Sequence, residues 1–262
     1  MTVALHYEAD GTHDASPLVL SPSLGSTLAM WDPQEAELGA HFHLIRHDHR
    51  GHGGSPVPPG PYDLDDLGRD ALALLDELGL RRVDWCGLSL GGMVGMWLAA
   101  HAPTRIGRLV LCCTSARLGP PSMWRDRARL VREEGMDAVA DAGIGRWLTP
   151  AFAERCPETA AWLRGMIAAT PPDGYVGCCG VIERMDLEPV LKRIHAPTLV
   201  IAAAQDPATP PEHGRRIAAG IAGAEFAEVP GGAHLVSFER PEVVNELLRA
   251  HLRGAPEANG AR

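Results

Sequence analysis

The sequence predicts an α/β fold, a mostly parallel, doubly wound sheet that carries an inserted all-helical cap. Two observations carry this expectation. Short, continuously apolar runs alternate with longer stretches of helical period, which is the pattern of a parallel sheet covered on both faces. Between residues 115 and 194 the alternation stops and only helical patterns remain. The expected layout is a core over 1–114 and 195–255, a helical cap over 115–194, and a flexible tail over 256–262.

The elements follow in order. "PLVLS" (Pro17–Ser21) reads as a buried strand. "TLAMWDPQEAEL" (Thr27–Leu38) is helical in composition, with Pro33 breaking or restarting it. "HFHLIRHD" (His41–Asp48) is a strand. "LDDLGRDALALLDELGL" (Leu64–Leu80) sets Leu67, Ala71, Leu74, Leu75 and Leu78 on one helical face. "RVDWCG" (Arg82–Gly87) is a strand, "LGGMVGMWLAAHAP" (Leu90–Pro103) a helix stopped by its proline, and "RLVLCCT" (Arg108–Thr114) a strand. Four helical segments then follow without a strand: "MWRDRARLVREEG", "MDAVADAGIGRWL", "ETAAWLRGMIAA" and "VGCCGVIERMDL". The alternation resumes with "APTLVIAAAQD" (Ala196–Asp206), a helix near Glu212–Ile221, the short strand "AEFAEVP" and a last helix "PEVVNELLRAHL".

Bulk properties exclude several function classes. A net charge of −9 with no dense Lys/Arg cluster argues against a nucleic-acid partner. No apolar run is long enough for a membrane span, and the N-terminus lacks the basic-then-apolar pattern of an export signal. The expectation is a cytoplasmic protein. Cys86, Cys112, Cys113, Cys156, Cys178 and Cys179 contain no C-x-x-C, so they read as reduced packing thiols.

The chemistry concentrates in "CGLSLGG" (Cys86–Gly92), which lies between a strand and a helix. It fits G-x-S-x-G, with Gly87, Ser89 and Gly91. A nucleophile on a one-residue strand-to-helix turn has strained backbone geometry and needs small residues two places away on either side. The turn lifts the hydroxyl clear of the sheet and aims a helix N-terminus at developing negative charge. A serine nucleophile needs a base, and the base needs an orienter, here in the chain order Ser, acid, His. Asp206 follows a strand and would arrive at the same sheet edge as Ser89. His234 lies in "VPGGAHLVSFERP", a glycine-rich loop before the last helix. His195 precedes a strand and so falls at the wrong end of the sheet. For the oxyanion, the backbone N–H groups of Leu90 and of Leu24, in "SPSLGS", are the candidate donors. Pro22 has no N–H to give.

"RHDHRGHGGS" (Arg46–Ser55) spaces His47, His49 and His52 as some zinc hydrolases do. Gly51 stands where such a site has aspartate, and no later ligands complete the pattern. No metal and no cofactor are expected. The histidines are read as packing and hydrogen-bonding the loop after an early strand.

These motifs resemble those of the α/β-hydrolases, and within them the 3-oxoadipate enol-lactonases of aromatic-compound breakdown. The resemblance rests on "SLGSTLAMWDPQ", "DHRGHGGSPVPPGPYDLDDLGRDALALLDELGL", the Ser89 region, the cap segment "GIGRWLTPAF", "AAQDPATPPEHG" and "VPGGAHLVSFERP". Pro22 departs from an expected asparagine and His47 from an expected aromatic residue. The resemblance implies a small anionic lactone as substrate, opened by Ser89, His234 and Asp206 through an acyl-enzyme. In a protein of charge −9 its carboxylate needs a local cation. Trp124 and Arg127, three apart on one helical face, and Arg146 and Trp147 in "GRWLT" are the candidates. A carboxylesterase or another small-ester or C–C bond hydrolase would use the same triad. A non-catalytic receptor on the same scaffold would not need it.

Overall fold

A computed structural model describes residues 1–253, so the tail expected at 256–262 lies outside the described residues. Among the described residues seven strands form a single sheet: β1 (Tyr7–Gly11), β2 (Pro17–Ser21), β3 (His43–His47), β4 (Val83–Leu88), β5 (Ile106–Cys112), β6 (Thr198–Ala203) and β7 (Glu225–Val229). Their spatial order is β1-β3-β2-β4-β5-β6-β7, and every pair is parallel except β1 with β3. The central strands β2, β4, β5 and β6 are buried on both faces, as their unbroken apolar runs require.

The sequence reading missed β1. It is an antiparallel edge strand, "YEADG", largely exposed, and no apolar run marks it. What holds it is charge. Arg46 on β3 reaches Glu8 at 2.9 Å and Asp10 at 3.1 Å, and its other nitrogen reaches Asp32 at 2.8 Å.

The helix α1 (Asp32–Gly39) follows a 3-10 turn over Leu28–Trp31, so Pro33 restarts the helix at its first turn, where a missing N–H costs nothing. In α2 (Leu64–Glu77) a capping box joins Asp63 and Asp66, and Leu67, Ala71, Leu74 and Leu75 are buried. It packs on α3 (Leu90–His101), where Gly68 lies flat against Trp97. Between β5 and β6 the chain forms five α-helices, not the four expected: α4 (Pro121–Glu134), α5 (Asp137–Trp147), α6 (Pro150–Arg155), α7 (Pro157–Ala168) and α8 (Pro172–Arg184), followed by a 3-10 turn over Glu188–Arg193. The extra one, α6, has six residues and is too short to show a period. The remaining helices are α9 (Pro211–Gly220), a four-residue α10 (Val236–Glu239) and α11 (Pro241–Leu252). Among the described residues no helix is long and apolar enough to cross a membrane.

The topology fixes where a site can form. From β2 the chain moves outward to β3 and returns on the other side as β4, so the strand order reverses between β2 and β4. The loops leaving their C-terminal ends diverge there and open a cleft. Ser21 pairs with Gly87, which brings the loop after β2 beside the turn after β4.

Candidate active site

Ser89 is the single residue between β4 and α3. Its φ of 54° and ψ of −111° are strained for a side chain that is not glycine. The surroundings explain why glycines flank it. A Cβ on Gly87 would come within 2.1 Å of the Gly91 carbonyl oxygen, and one on Gly91 within 2.2 Å of the Ser21 carbonyl oxygen. The turn is clamped from both sides. Ser89 N–H donates to Cys112 O at 3.0 Å, and Thr114 Oγ1 donates to Ser89 O at 2.6 Å.

The N–H groups around the two candidate oxyanion donors are spoken for. In the loop after β2, Ser23 donates to Met30 Sδ at 3.2 Å, Gly25 to His52 Nε2 at 3.0 Å and Ser26 to Ser23 O at 3.3 Å. Leu24 alone is left among them, with no acceptor among the described residues. At the start of α3, Ser89 donates to Cys112 O and Gly91 to Pro22 O at 3.0 Å, while Leu90 between them has no acceptor among the described residues. Pro22, which offers no N–H, thus contributes its carbonyl.

Asp206 and His234 come from the loops after β6 and β7. His234 Nδ1 donates to Asp206 Oδ2 at 2.8 Å. Thr209 Oγ1 donates to the same oxygen at 2.7 Å, and the Ala208 and Thr209 N–H groups donate to Oδ1 at 2.8 and 3.0 Å. Burial alone would raise the Asp206 carboxyl. The His234 charge and the bonds from His234 and Thr209 outweigh it and hold the carboxyl at about 2. Ser89 and His234 face one cavity but are not hydrogen-bonded to each other in this arrangement. Catalytic contacts of this kind often tighten only when substrate is bound. His195 is exposed, at the opposite end of β6.

That cavity measures about 110 Å³. The four cap residues singled out in the sequence, Trp124, Arg127, Arg146 and Trp147, all line it, and so does Leu24. The Arg127 guanidinium lies 4.6 Å from the centre of the Trp124 ring. Among the described residues neither arginine has a carboxylate partner. Burial, and then the charge of Arg127, pull Arg146 below its ordinary value. Burial pushes the neighbouring Tyr175 hydroxyl up to about 12.

Residues 18–247 match the alpha/beta hydrolase family. The chain belongs to the α/β-hydrolase family. It is 39% identical to 3-oxoadipate enol-lactonase 2 of Acinetobacter baylyi over 96% of this chain and 94% of that protein. The crystal structure of the enol-lactonase from Burkholderia xenovorans LB400 is 42% identical, with a TM-score of 0.94 over 96% of this chain and 97% of the other. A thermophilic esterase from Thermogutta terrifontis, solved with malate bound, is 33% identical, with a TM-score of 0.90 over 96% and 93%. The resemblance to enol-lactonases drawn from the motifs is therefore borne out.

In this α/β-hydrolase the histidines of "RHDHRGHGGS" turn inward to the loop after β2. His47 Nε2 contacts Ser21 Oγ at 3.1 Å, His49 Nε2 donates to Pro22 O at 3.0 Å, and His52 accepts from Gly25. Among the described residues no group of three or more His, Cys, Asp or Glu side chains is arranged to hold a metal ion. Cys86, Cys112, Cys113, Cys178 and Cys179 are buried free thiols, and Cys156 is half-buried.

Three residues escaped the sequence reading. Thr209 supports Asp206, and Tyr175 lines the cavity. Buried Glu239 ties the cap to the histidine loop. Its Oε1 accepts from Thr149 N–H and Oγ1 at 2.8 and 2.7 Å, and its Oε2 from Ala233 N–H at 2.5 Å. Thr209 had a local signal, three residues after the acid in an Asp-Pro turn.

Proposed function

We propose that this chain hydrolyses 3-oxoadipate enol-lactone to 3-oxoadipate, in aromatic-compound catabolism, by a Ser89–His234–Asp206 triad and without a cofactor. Ser89 Oγ attacks the lactone carbonyl carbon while His234 Nε2 takes its proton. The carbonyl electron pair moves to oxygen, where the Leu24 and Leu90 N–H groups receive it. As the tetrahedral centre collapses, the ring C–O bond breaks. The leaving enol oxygen takes the proton from His234, and the enol then ketonises. A water molecule gives its proton to His234 and attacks the acyl ester, and Ser89 leaves with that proton. Asp206 holds the imidazole in the tautomer with Nδ1 protonated and balances its positive charge.

The observation that carries the choice of an anionic lactone is the pair Arg127 and Arg146. Both face the cavity of Ser89 without a carboxylate partner among the described residues, in a chain of net charge −9. Such a pair favours a substrate that brings its own carboxylate. The enol-lactonase relatives support the same reading.

The test is spectrophotometric loss of the enol-lactone with purified protein, beside Ser89→Ala and beside a neutral nitrophenyl ester. The expected result is a higher kcat/KM on the lactone than on the ester, with both reactions abolished in Ser89→Ala. A higher kcat/KM on the neutral ester would make the protein a carboxylesterase. Full activity in Ser89→Ala would remove the serine mechanism altogether.

A further inference from the structure

The buried histidines of "RHDHRGHGGS" have no part in the proton transfers above, yet one of them bears on what the loop after β2 presents to Ser89. His52 Nδ1 lies 3.2 Å from Arg50 O. A carbonyl only accepts, so Nδ1 carries the ring hydrogen, and Nε2 is left as a bare lone pair. That lone pair accepts the Gly25 N–H at 3.0 Å. The N–H groups of this loop point to different acceptors, Ser23 to Met30 Sδ, Gly25 to His52 and Ser26 to Ser23 O, and Gly25 itself is in the left-handed region, with φ at +77°. Drawing the Gly25 N–H toward His52 fixes the peptide plane that joins it to Leu24. That plane carries the Leu24 carbonyl, and with Gly25 engaged, Leu24 N–H is the donor of Ser23–Ser26 left without an acceptor among the described residues. From the same stretch, His49 bonds the Pro22 carbonyl, which also receives the Gly91 N–H of the first turn of α3. The loop is therefore tied to the nucleophile's own helix.

We infer that His52 is a positioning residue for the oxyanion hole, selecting Leu24 N–H as its loop donor by engaging the neighbouring Gly25 N–H. The inference rests on reading Leu24 and Leu90 as the oxyanion donors. It goes beyond that reading in assigning a function to a histidine that touches neither substrate nor triad. Burial keeps the ring neutral, which the accepting Nε2 requires.

The test uses steady-state kinetics on p-nitrophenyl acetate, a neutral ester, so that the outcome does not depend on the lactone assignment. Three variants separate the ring's bonds from its bulk. His52→Leu keeps bulk and loses both bonds. His52→Asn places an amide donor near Arg50 O but stops short of Gly25. His52→Gln carries an amide oxygen as far as Nε2 reaches. The expected result is a kcat lowered about tenfold to a hundredfold in Leu and Asn, with KM within about twofold and most of the loss recovered in Gln. Loss of fold alone would not separate Asn from Gln in kcat at constant KM. If Leu does not fold, the Asn and Gln pair decides. Wild-type kcat in a folded Asn variant, or an equal loss in Gln and Asn, overturns the inference. Ser89→Ala is run in parallel, and if it retains the ester activity it is the serine mechanism, rather than the part played by His52, that has failed.

Discussion

Asp206 shows how one side chain can set the state of its neighbour. Its two oxygens accept four hydrogen bonds, from His234, Thr209 Oγ1 and two backbone N–H groups. These keep the carboxylate ionised at neutral pH despite its burial. Asp206→Asn disturbs this in a defined way. An amide nitrogen beside His234 Nδ1 forces the ring hydrogen onto Nε2, the atom that accepts the proton of Ser89 in the proposed mechanism. The expected result is a kcat lowered by about 10³- to 10⁴-fold with KM little changed. A variant within tenfold of wild type would mean that the imidazole is oriented by something else. Arg146 tests recognition in place of proton transfer. Under the proposed recognition of the lactone carboxylate, Arg146→Gln removes a charge-assisted bond worth about 1.5–3 kcal/mol. KM for the anionic lactone should therefore rise at least tenfold while KM for a neutral ester holds. Equal KM changes for both substrates would show that Arg146 only packs.

Between elements, the seam joining the cap to the histidine loop matters most. Leu235 N–H donates to Trp147 O at 2.9 Å and His234 N–H to Arg146 O at 3.4 Å, so a wall of the cavity is hydrogen-bonded to the loop that carries His234. Glu239 closes the seam with three accepted bonds. Glu239→Gln turns an amide NH₂ toward at least one backbone N–H that has no alternative partner. The expected cost is about 1–3 kcal/mol, seen as a melting temperature lowered by several degrees. An unchanged melting temperature would show the seam to be held by its backbone bonds alone. This seam also marks where sequence reading stops. β2, β4, β5 and β6 were legible because burial on both faces leaves an unbroken apolar run. Ser89 was legible because its constraint is local, two residues to either side. β1 was not, since an exposed edge strand held by Arg46 has no apolar signature. Nor was α6, six residues between Pro150 and Pro157. Thr149 and Glu239 lie 90 positions apart, and no periodicity within either segment encodes their contact.

At the scale of the whole molecule, the histidine cluster makes stability depend on pH. His47, His49 and His52 are fully buried and pack edge to face, with His47 and His49 ring centres 5.1 Å apart. Burial lowers all three, His47 to about 4 from an ordinary 6.5. The native state thus refuses protons that the unfolded chain binds. Stability is complete above about pH 6.5 and falls as pH drops toward 4. For His47 alone the loss at pH 5 is about 2 kcal/mol, against about 0.2 kcal/mol at pH 7. Among the described residues His47 Nδ1 has no hydrogen-bond partner, so the ring gains little from its polarity beyond the contact to Ser21. His47→Phe keeps the edge-to-face packing on His49 and the contact with Trp85 and removes the titration. The Ser21 hydroxyl loses a partner at every pH, so that cost cancels when two pH values are compared. The expected result is a gap in melting temperature between pH 7 and pH 5 that narrows by about 4–8 °C in the variant. An undiminished gap would assign the acid sensitivity to His49 and His52, the two rings bonded to the loop that carries Leu24.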